Sequence, residues 1–93
     1  MTGKRILLVE DEAAIREMTA MALERAGYQV SEAADAAEAE RLLVDGVPDL
    51  ILLDWMLPGG SGIELARRLR REEFSREVPI ICLLYTSDAA DEE

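Results

Sequence analysis

The chain has 93 residues, 49% of them hydrophobic, and a formal charge of −10 from 20 acids against 10 basic residues. That is sequence for one domain with a small core, and its acidic balance argues against direct nucleic-acid binding, which needs a basic surface. With no histidine and a single cysteine, Cys82, histidine-based catalysis, a histidine metal site and an internal disulfide are excluded. No apolar run approaches the ~20 residues that span a bilayer, and the run after Met-Thr-Gly-Lys-Arg is too short for a signal-peptide core. A cytoplasmic protein with no membrane contact is the expectation.

Lys4 to Val9 carries the run Ile6-Leu7-Leu8-Val9, a short buried strand ending at the adjacent acids Glu10 and Asp11. Residues Glu12 to Ala26 are predicted to be a helix with Ile15, Met18, Ala22 and Ala26 on its inward face. Asp11 is placed to cap it, Glu12 and Glu17 favour its first turns, and Gly27 suits its end. Tyr28 to Ser31 reads as a weak second strand. Asp35 and Glu38 form a capping-box-like pair opening a helix over Ala36 to Asp45, which buries Ala39, Leu42 and Leu43 and is stopped by Gly46 and Pro48.

In Asp49 to Asp54 an apolar run meets a single carboxylate, the pattern of a strand buried on both faces, and Pro58-Gly59-Gly60 follows. Ser61 and Glu64 open a third helix near Gly62, with Leu65, Ala66 and Leu69 inward. Arg67, Arg68, Arg70 and Arg71 are expected to be a solvated face. Val78 to Leu84 is the fourth strand, with Cys82 expected to be an inert buried thiol. The β-α-β-α-β-α-β order predicts an α/β parallel sheet with right-handed crossovers. Tyr85 to Glu93 is acidic without apolar period, so a frayed tail is expected.

In a parallel sheet the first and third strands can lie side by side, which brings Glu10, Asp11 and Asp54 into one crevice at the carboxyl edge, where ligands bind. Three carboxylates there raise at least one pKa unless a cation sits among them, and an oxygen-only donor set suits Mg²⁺ or Mn²⁺. Asp54 is the candidate nucleophile towards phosphorus, Asp11 the principal metal ligand, Glu10 an outer or water-mediated ligand, and the Met56 carbonyl a further oxygen. Bland readings stand beside these: Asp11 as a helix cap and Pro58-Gly59-Gly60 as a turn. The loop lacks the lysine of a P-loop, and no G-x-G-x-x-G follows the first strand. A phosphatase with an aspartate nucleophile usually has a second Asp two residues later. Met56 holds that position, so an enzyme is not expected.

Leu7-Leu8-Val9-Glu10-Asp11-Glu12, Ile15-Arg16-Glu17-Met18, and Asp49 to Asp54 continuing through Trp55-Met56-Leu57-Pro58-Gly59-Gly60-Ser61-Gly62 resemble the receiver domain of bacterial response regulators of the OmpR/PhoB class. The likeness runs from about Lys4 to Leu83. It implies a flavodoxin-like (CheY-like) doubly wound parallel sheet, incomplete here, with four strands in order 2-1-3-4 and three helices. It further implies that Asp54 accepts a phosphoryl group from a phosphohistidine on a sensor histidine kinase, with Mg²⁺ held by Glu10, Asp11, Asp54 and the Met56 carbonyl.

The family switches and dimerises through its fourth helix, fifth strand and fifth helix, and a C-terminal domain binds DNA; these have no counterpart in the present sequence. Nor does the family's Thr or Ser at the end of strand four, where Leu84-Tyr85 stands, or its lysine at the end of strand five. The resulting expectation is a truncated receiver domain over residues 1–84 with a disordered or non-native tail over 85–93. Its activity would be impaired, its fourth strand would be an exposed apolar edge, and its isolated fold would be poor or partner-dependent. The alternative is an inactive fragment that still binds Mg²⁺.

Overall fold

Three short apolar runs and one polar stretch, Gln29–Ala33, become strands, and each feeds or follows a helix. The computed structural model describes residues 3–54, 57, 61–73 and 75–83. In chain order the elements are β1 (Arg5–Val9), α1 (Ala13–Arg25), β2 (Gln29–Ala33), α2 (Ala36–Asp45), β3 (Leu50–Asp54), α3 (Ser61–Arg71) and β4 (Ile80–Leu83). The strands pair in parallel, as the β-α alternation predicted, and in the order β2-β1-β3-β4 that the family resemblance implied. Leu7 lies level with Ser31 and Ile51, and Leu53 with Val9 and Cys82.

β1 and β3 are central and apolar on both faces because helices cover both sides. Their alternating side chains divide the core. Leu7, Val9, Ile51 and Leu53 pack with Ala39 and Leu43 of α2 and with Leu65 and Leu69 of α3. Ile6, Leu8 and Leu52 turn the other way, onto Ala20 and Leu23 of α1. A reciprocal clasp sets the register where the two strands begin. The Arg5 N–H donates to Asp49 Oδ2 at 2.8 Å, and the Asp49 N–H donates to the Arg5 carbonyl at 2.8 Å. A slip of one residue would break both bonds and turn the side chains of the slipped strand to the opposite faces.

α2 follows its sequence signals closely. Asp35 caps it, accepting the Glu38 N–H at 2.8 Å, while Glu38 Oε1 reaches back to the Ala34 N–H at 2.9 Å. Ala39 and Leu43 are buried and Leu42 is half-buried. Asp35→Ala is therefore expected to lower stability by about 1 kcal/mol, the usual contribution of an N-cap, read as a reduced urea midpoint.

α1 departs from expectation. Its N-cap position is Glu12 and no side chain caps it there; the Glu12 N–H is taken instead by Glu10 Oε2 at 2.9 Å. Asp11 is thus not the cap, and the first turn contains no acid. The inward face also differs. Ala20 is buried, with Ile15, Arg16, Thr19 and Leu23 half-buried, whereas Met18 is 66% exposed and Ala22 and Ala26 face solvent. The true stripe contains polar Arg16 and Thr19, which hid its phase in an alanine-rich helix of weak apolar contrast. The predicted ending holds. Gly27, at φ 102°, closes a Schellman turn, with its N–H on the Glu24 carbonyl at 3.0 Å and the Tyr28 N–H on the Leu23 carbonyl at 3.2 Å.

The arginines of α3 are only partly a solvated face. Arg68 pairs with Glu40 of α2. Arg70 Nη1 donates to the Arg76 and Val78 carbonyls at 2.7 and 2.8 Å, and buried Ser75 Oγ donates to the Leu69 carbonyl at 2.8 Å. These bonds close the turn that leads into β4. Among the described strands β4 pairs with β3 alone, and Ile81 on it is 50% exposed. Cys82 is exposed rather than buried, and among the described residues no strand pairs with β4 on its outer side. Partial shielding still pushes its thiol pKa up from 9.0, against the pull of the Arg70 guanidinium, so thiolate is scarce at neutral pH. Among the described residues no helix is long and apolar enough to cross a membrane. Residues 84–93, the expected tail, lie outside the described residues.

Candidate functional site

β1 and β3 are hydrogen-bonded neighbours that run in the same direction, so their carboxyl ends are level. Val9 is paired with Leu53, which places Glu10 beside Asp54. Glu10, Asp11 and Asp54 each offer a carboxylate oxygen, and these oxygens all lie within 4.8 Å of one another. Glu10 is 2% exposed and Asp54 4%, while Asp11 is open to solvent. The cluster expected from sequence is therefore assembled at the edge of the sheet. Met56, the fourth expected contributor, lies outside the described residues.

Glu10 is held from several sides. Its N–H donates to the Ala33 carbonyl at 3.0 Å, extending the β1–β2 pairing. Its carbonyl accepts Arg16 Nη1 at 2.9 Å, and its Oε2 accepts the Glu12 N–H at 2.9 Å. Oε1 is buried and has no hydrogen-bond partner. A buried carboxylate oxygen without a donor is a high-energy arrangement unless a cation or a proton meets it. Burial is the main cause that raises the Glu10 pKa above its ordinary 4.5; the Glu12 N–H opposes this, and Asp54 and Asp11 add to the rise.

The donor set fits a hard divalent cation. It consists of oxygen alone, carries several negative charges and leaves one face open for water. Glu10, Asp11 and Asp54 are the residues that would hold such an ion.

The raised pKa gives a pH dependence with a definite sign. In the folded chain Glu10 binds a proton more tightly than in the unfolded chain. Stability in the absence of divalent ions therefore falls as pH rises from 4.5 through the higher folded value. Glu10→Gln is expected to flatten that part of the profile. In the wild-type chain the stabilisation by Mg²⁺ should grow over the same interval, as protons stop competing for Oε1. Thermal melts from pH 4 to 8, with Mg²⁺ and with a chelator, test both statements.

Two residues near the cluster escape sequence reasoning. Arg16 reaches from α1 to the Glu10 carbonyl, and its Nε lies 3.4 Å from Glu32 Oε1 on β2. One signal was available. A cation in the first turn of a helix opposes the helix dipole, and Arg16 occupies that turn.

A parallel sheet covered on both faces, with an acidic cluster beyond the ends of its two central strands, defines a doubly wound α/β module with a donor set for a cation at its carboxyl edge. The chain belongs to the response regulator receiver domain family, whose model matches residues 6–93. It is 63% identical over 83 residues to the phosphate regulon transcriptional regulatory protein PhoB of Pseudomonas aeruginosa, an overlap covering 89% of this chain and 36% of that protein. It is 50% identical over 89 residues to PhoB of Escherichia coli, covering 96% of this chain and 39% of that protein. The chain thus spans little more than a third of the curated relatives it matches.

Solved structures agree on the fold. The chemotaxis response regulator CheY4 of Vibrio cholerae superposes with a TM-score of 0.84 at 32% identity, covering 97% of this chain and 76% of that one. The non-phosphorylated HemR receiver domain of Leptospira biflexa gives 0.76 at 37% identity, covering 85% of this chain and 62% of that one. Within that family its sequence is similar to PhoB proteins over a region covering 36% and 39% of their length.

Proposed function

We propose that this receiver domain is a phosphoacceptor, taking a phosphoryl group from a phosphohistidine on a sensor histidine kinase onto Asp54. The observation that supports this reading is the convergence of Glu10, Asp11 and Asp54 within 4.8 Å, with a buried, unpartnered Glu10 Oε1 among them. An Asp54 carboxylate oxygen attacks phosphorus, an O–P bond forms, and the P–N bond to the imidazole breaks with its electron pair leaving on nitrogen. Bound Mg²⁺, held by Glu10, Asp11 and Asp54 with the Met56 carbonyl as a further oxygen, would neutralise charge on the transferred group. The chain's own contribution is to aim Asp54 from the end of a central strand and to keep Glu10 fixed beside it.

The role is that of a signalling acceptor and not a turnover enzyme. The receiver portion is residues 1–84, with 85–93 as an acidic tail. DNA binding and transcriptional output belong to the part of the relatives that this chain does not span. Labelling is expected to be weak. The sequence has Leu84-Tyr85 in place of the Thr or Ser that the family carries after its fourth strand, and Lys4, the sole lysine in the sequence, lies near the opposite end of β1. The test is incubation with Mg²⁺ and acetyl phosphate or a phosphorylated kinase, read by intact mass. A gain of one phosphoryl group supports acceptance. No gain alongside a saturable Mg²⁺ response of Trp55 fluorescence would leave the alternative, an inactive receiver fold with residual Mg²⁺ binding.

A further inference from the structure

Arg16 stands apart from the carboxylate cluster yet is tied to it. We propose that Arg16 is a positioning residue for that cluster, holding the turn between β1 and α1 so that Glu10 and Asp11 face Asp54. This inference rests on the reading of the cluster as a cation site and names the residue that keeps the site assembled.

The geometry carries the argument. The Arg16 guanidinium donates through Nη1 to the Glu10 carbonyl at 2.9 Å, and its Nε lies 3.4 Å from Glu32 Oε1. One rigid fork therefore spans two structural pieces: the residue just beyond β1 and the neighbouring strand β2. The side chain is well shielded, 19% exposed, while Glu32 is 38% exposed. Arg16 also lies in α1, whose first backbone bond runs from its own N–H to the Glu12 carbonyl at 2.9 Å. Side chain and main chain together bracket residues 10–12, the segment that supplies two of the three carboxylates.

Fixing the Glu10 carbonyl fixes its peptide plane. The Glu10 side chain, gripped at Oε2 by the Glu12 N–H, is then left with Oε1 as its one unpartnered oxygen. A lysine could reach the carbonyl but could not match the planar fork that meets Glu32 as well. Arg16 occupies the first turn of α1, where a cation is disfavoured by the helix dipole, and these two contacts offset that cost.

The test separates positioning from simple electrostatics, because the two predict opposite signs. Arg16→Met removes a positive charge close to the carboxylates, so a purely coulombic role predicts tighter Mg²⁺ binding. Positioning predicts weaker binding, by about tenfold, the lower end of what loss of an outer partner does to metal affinity. Mg²⁺ titration of the full 93-residue chain, read by Trp55 fluorescence, is the measurement. Amide exchange at Glu12 is the second readout, and it needs no metal. Arg16→Met should lose protection at the Glu12 N–H while Leu8 and Leu52 in the central strands keep theirs.

Arg16→Lys should recover part of the affinity and Glu32→Gln should lose a smaller part. Unchanged or tightened Mg²⁺ binding in Arg16→Met, or retained Glu12 protection, overturns the proposal. If Arg16→Met does not fold, Glu32→Gln decides: weakened Mg²⁺ binding supports the bridge, and wild-type affinity overturns it. If the wild-type chain itself shows no Mg²⁺ response, the cation reading fails, and the exchange measurement alone judges the role of Arg16.

Discussion

Asp54→Ala is expected to abolish phosphoryl labelling of the chain and to weaken Mg²⁺ binding by at least about tenfold, the lower end of what loss of an outer partner does to affinity. Among the three clustered acids, Asp54 alone ends a central strand, and it is 4% exposed beside the 2% exposed Glu10. Glu10 has Oε2 committed to the Glu12 N–H, which lowers its reach towards an incoming phosphorus. Asp11 is exposed and lies beyond the end of β1, outside either central strand. The loss of labelling should not be a loss of fold. Removing Asp54 takes away one of the charges that raise the Glu10 pKa, so in chelator the variant should still unfold in one cooperative transition. Intact mass after acetyl phosphate treatment, with a melt in chelator, reads both effects. A phosphoryl group persisting on Asp54→Ala would move the acceptor to Glu10 or Asp11 and refute the assignment.

The contrast between what the sequence made legible and what it hid follows the strength of local signals. β1 and β3 were readable because buried parallel strands are near-continuous apolar runs, and because each ends at acids that cannot follow it into the core. From those two ends alone, Glu10, Asp11 and Asp54 could be placed together. α2 was readable because Asp35, Glu38, Ala39, Leu43 and Gly46 agree on cap, face and stop. α1 was not, because its inward face includes Arg16 and Thr19 and its outward face includes Met18 and Met21, so polarity and burial disagree. At Arg16 the mismatch has a structural cause: its guanidinium turns inward to donate to the carbonyl of Glu10, just beyond β1. Cys82 misled in the other direction, since an apolar run does not tell a central strand from an edge strand. The roles of Arg68 and Arg70 depended on tertiary partners, Glu40 and the Val78 carbonyl, that no spacing in the chain announces.

Leu53→Ala is expected to cost a large share of the chain's stability. Leu53 is fully buried, lies between Val9 of β1 and Cys82 of β4, and packs in the core that α2 and α3 cover. Truncating such a leucine removes its transfer free energy and leaves a cavity, together about 2–5 kcal/mol. A chain of 93 residues has only about 5–14 kcal/mol of total stability, so the change takes a large share of it. Close packing gives the site little room to relax, because Leu53 is enclosed with Leu43 of α2, Leu65 and Leu69 of α3 and Val9 of β1. The urea midpoint should fall by more than about 1 M, given a slope of roughly 1–2 kcal/mol per M for so small a domain. Val44→Ala is the matched control. Val44 is 82% exposed on α2 and should shift stability by less than about 0.5 kcal/mol. Because Leu53 immediately precedes Asp54, the Mg²⁺ response should disappear along the same unfolding curve and not before it. A Leu53→Ala chain as stable as Val44→Ala would mean that α2 and α3 do not pack on this face of the sheet. Loss of the Mg²⁺ response at urea concentrations where the strands remain folded would mean that Asp54 is positioned by something other than the core beneath it.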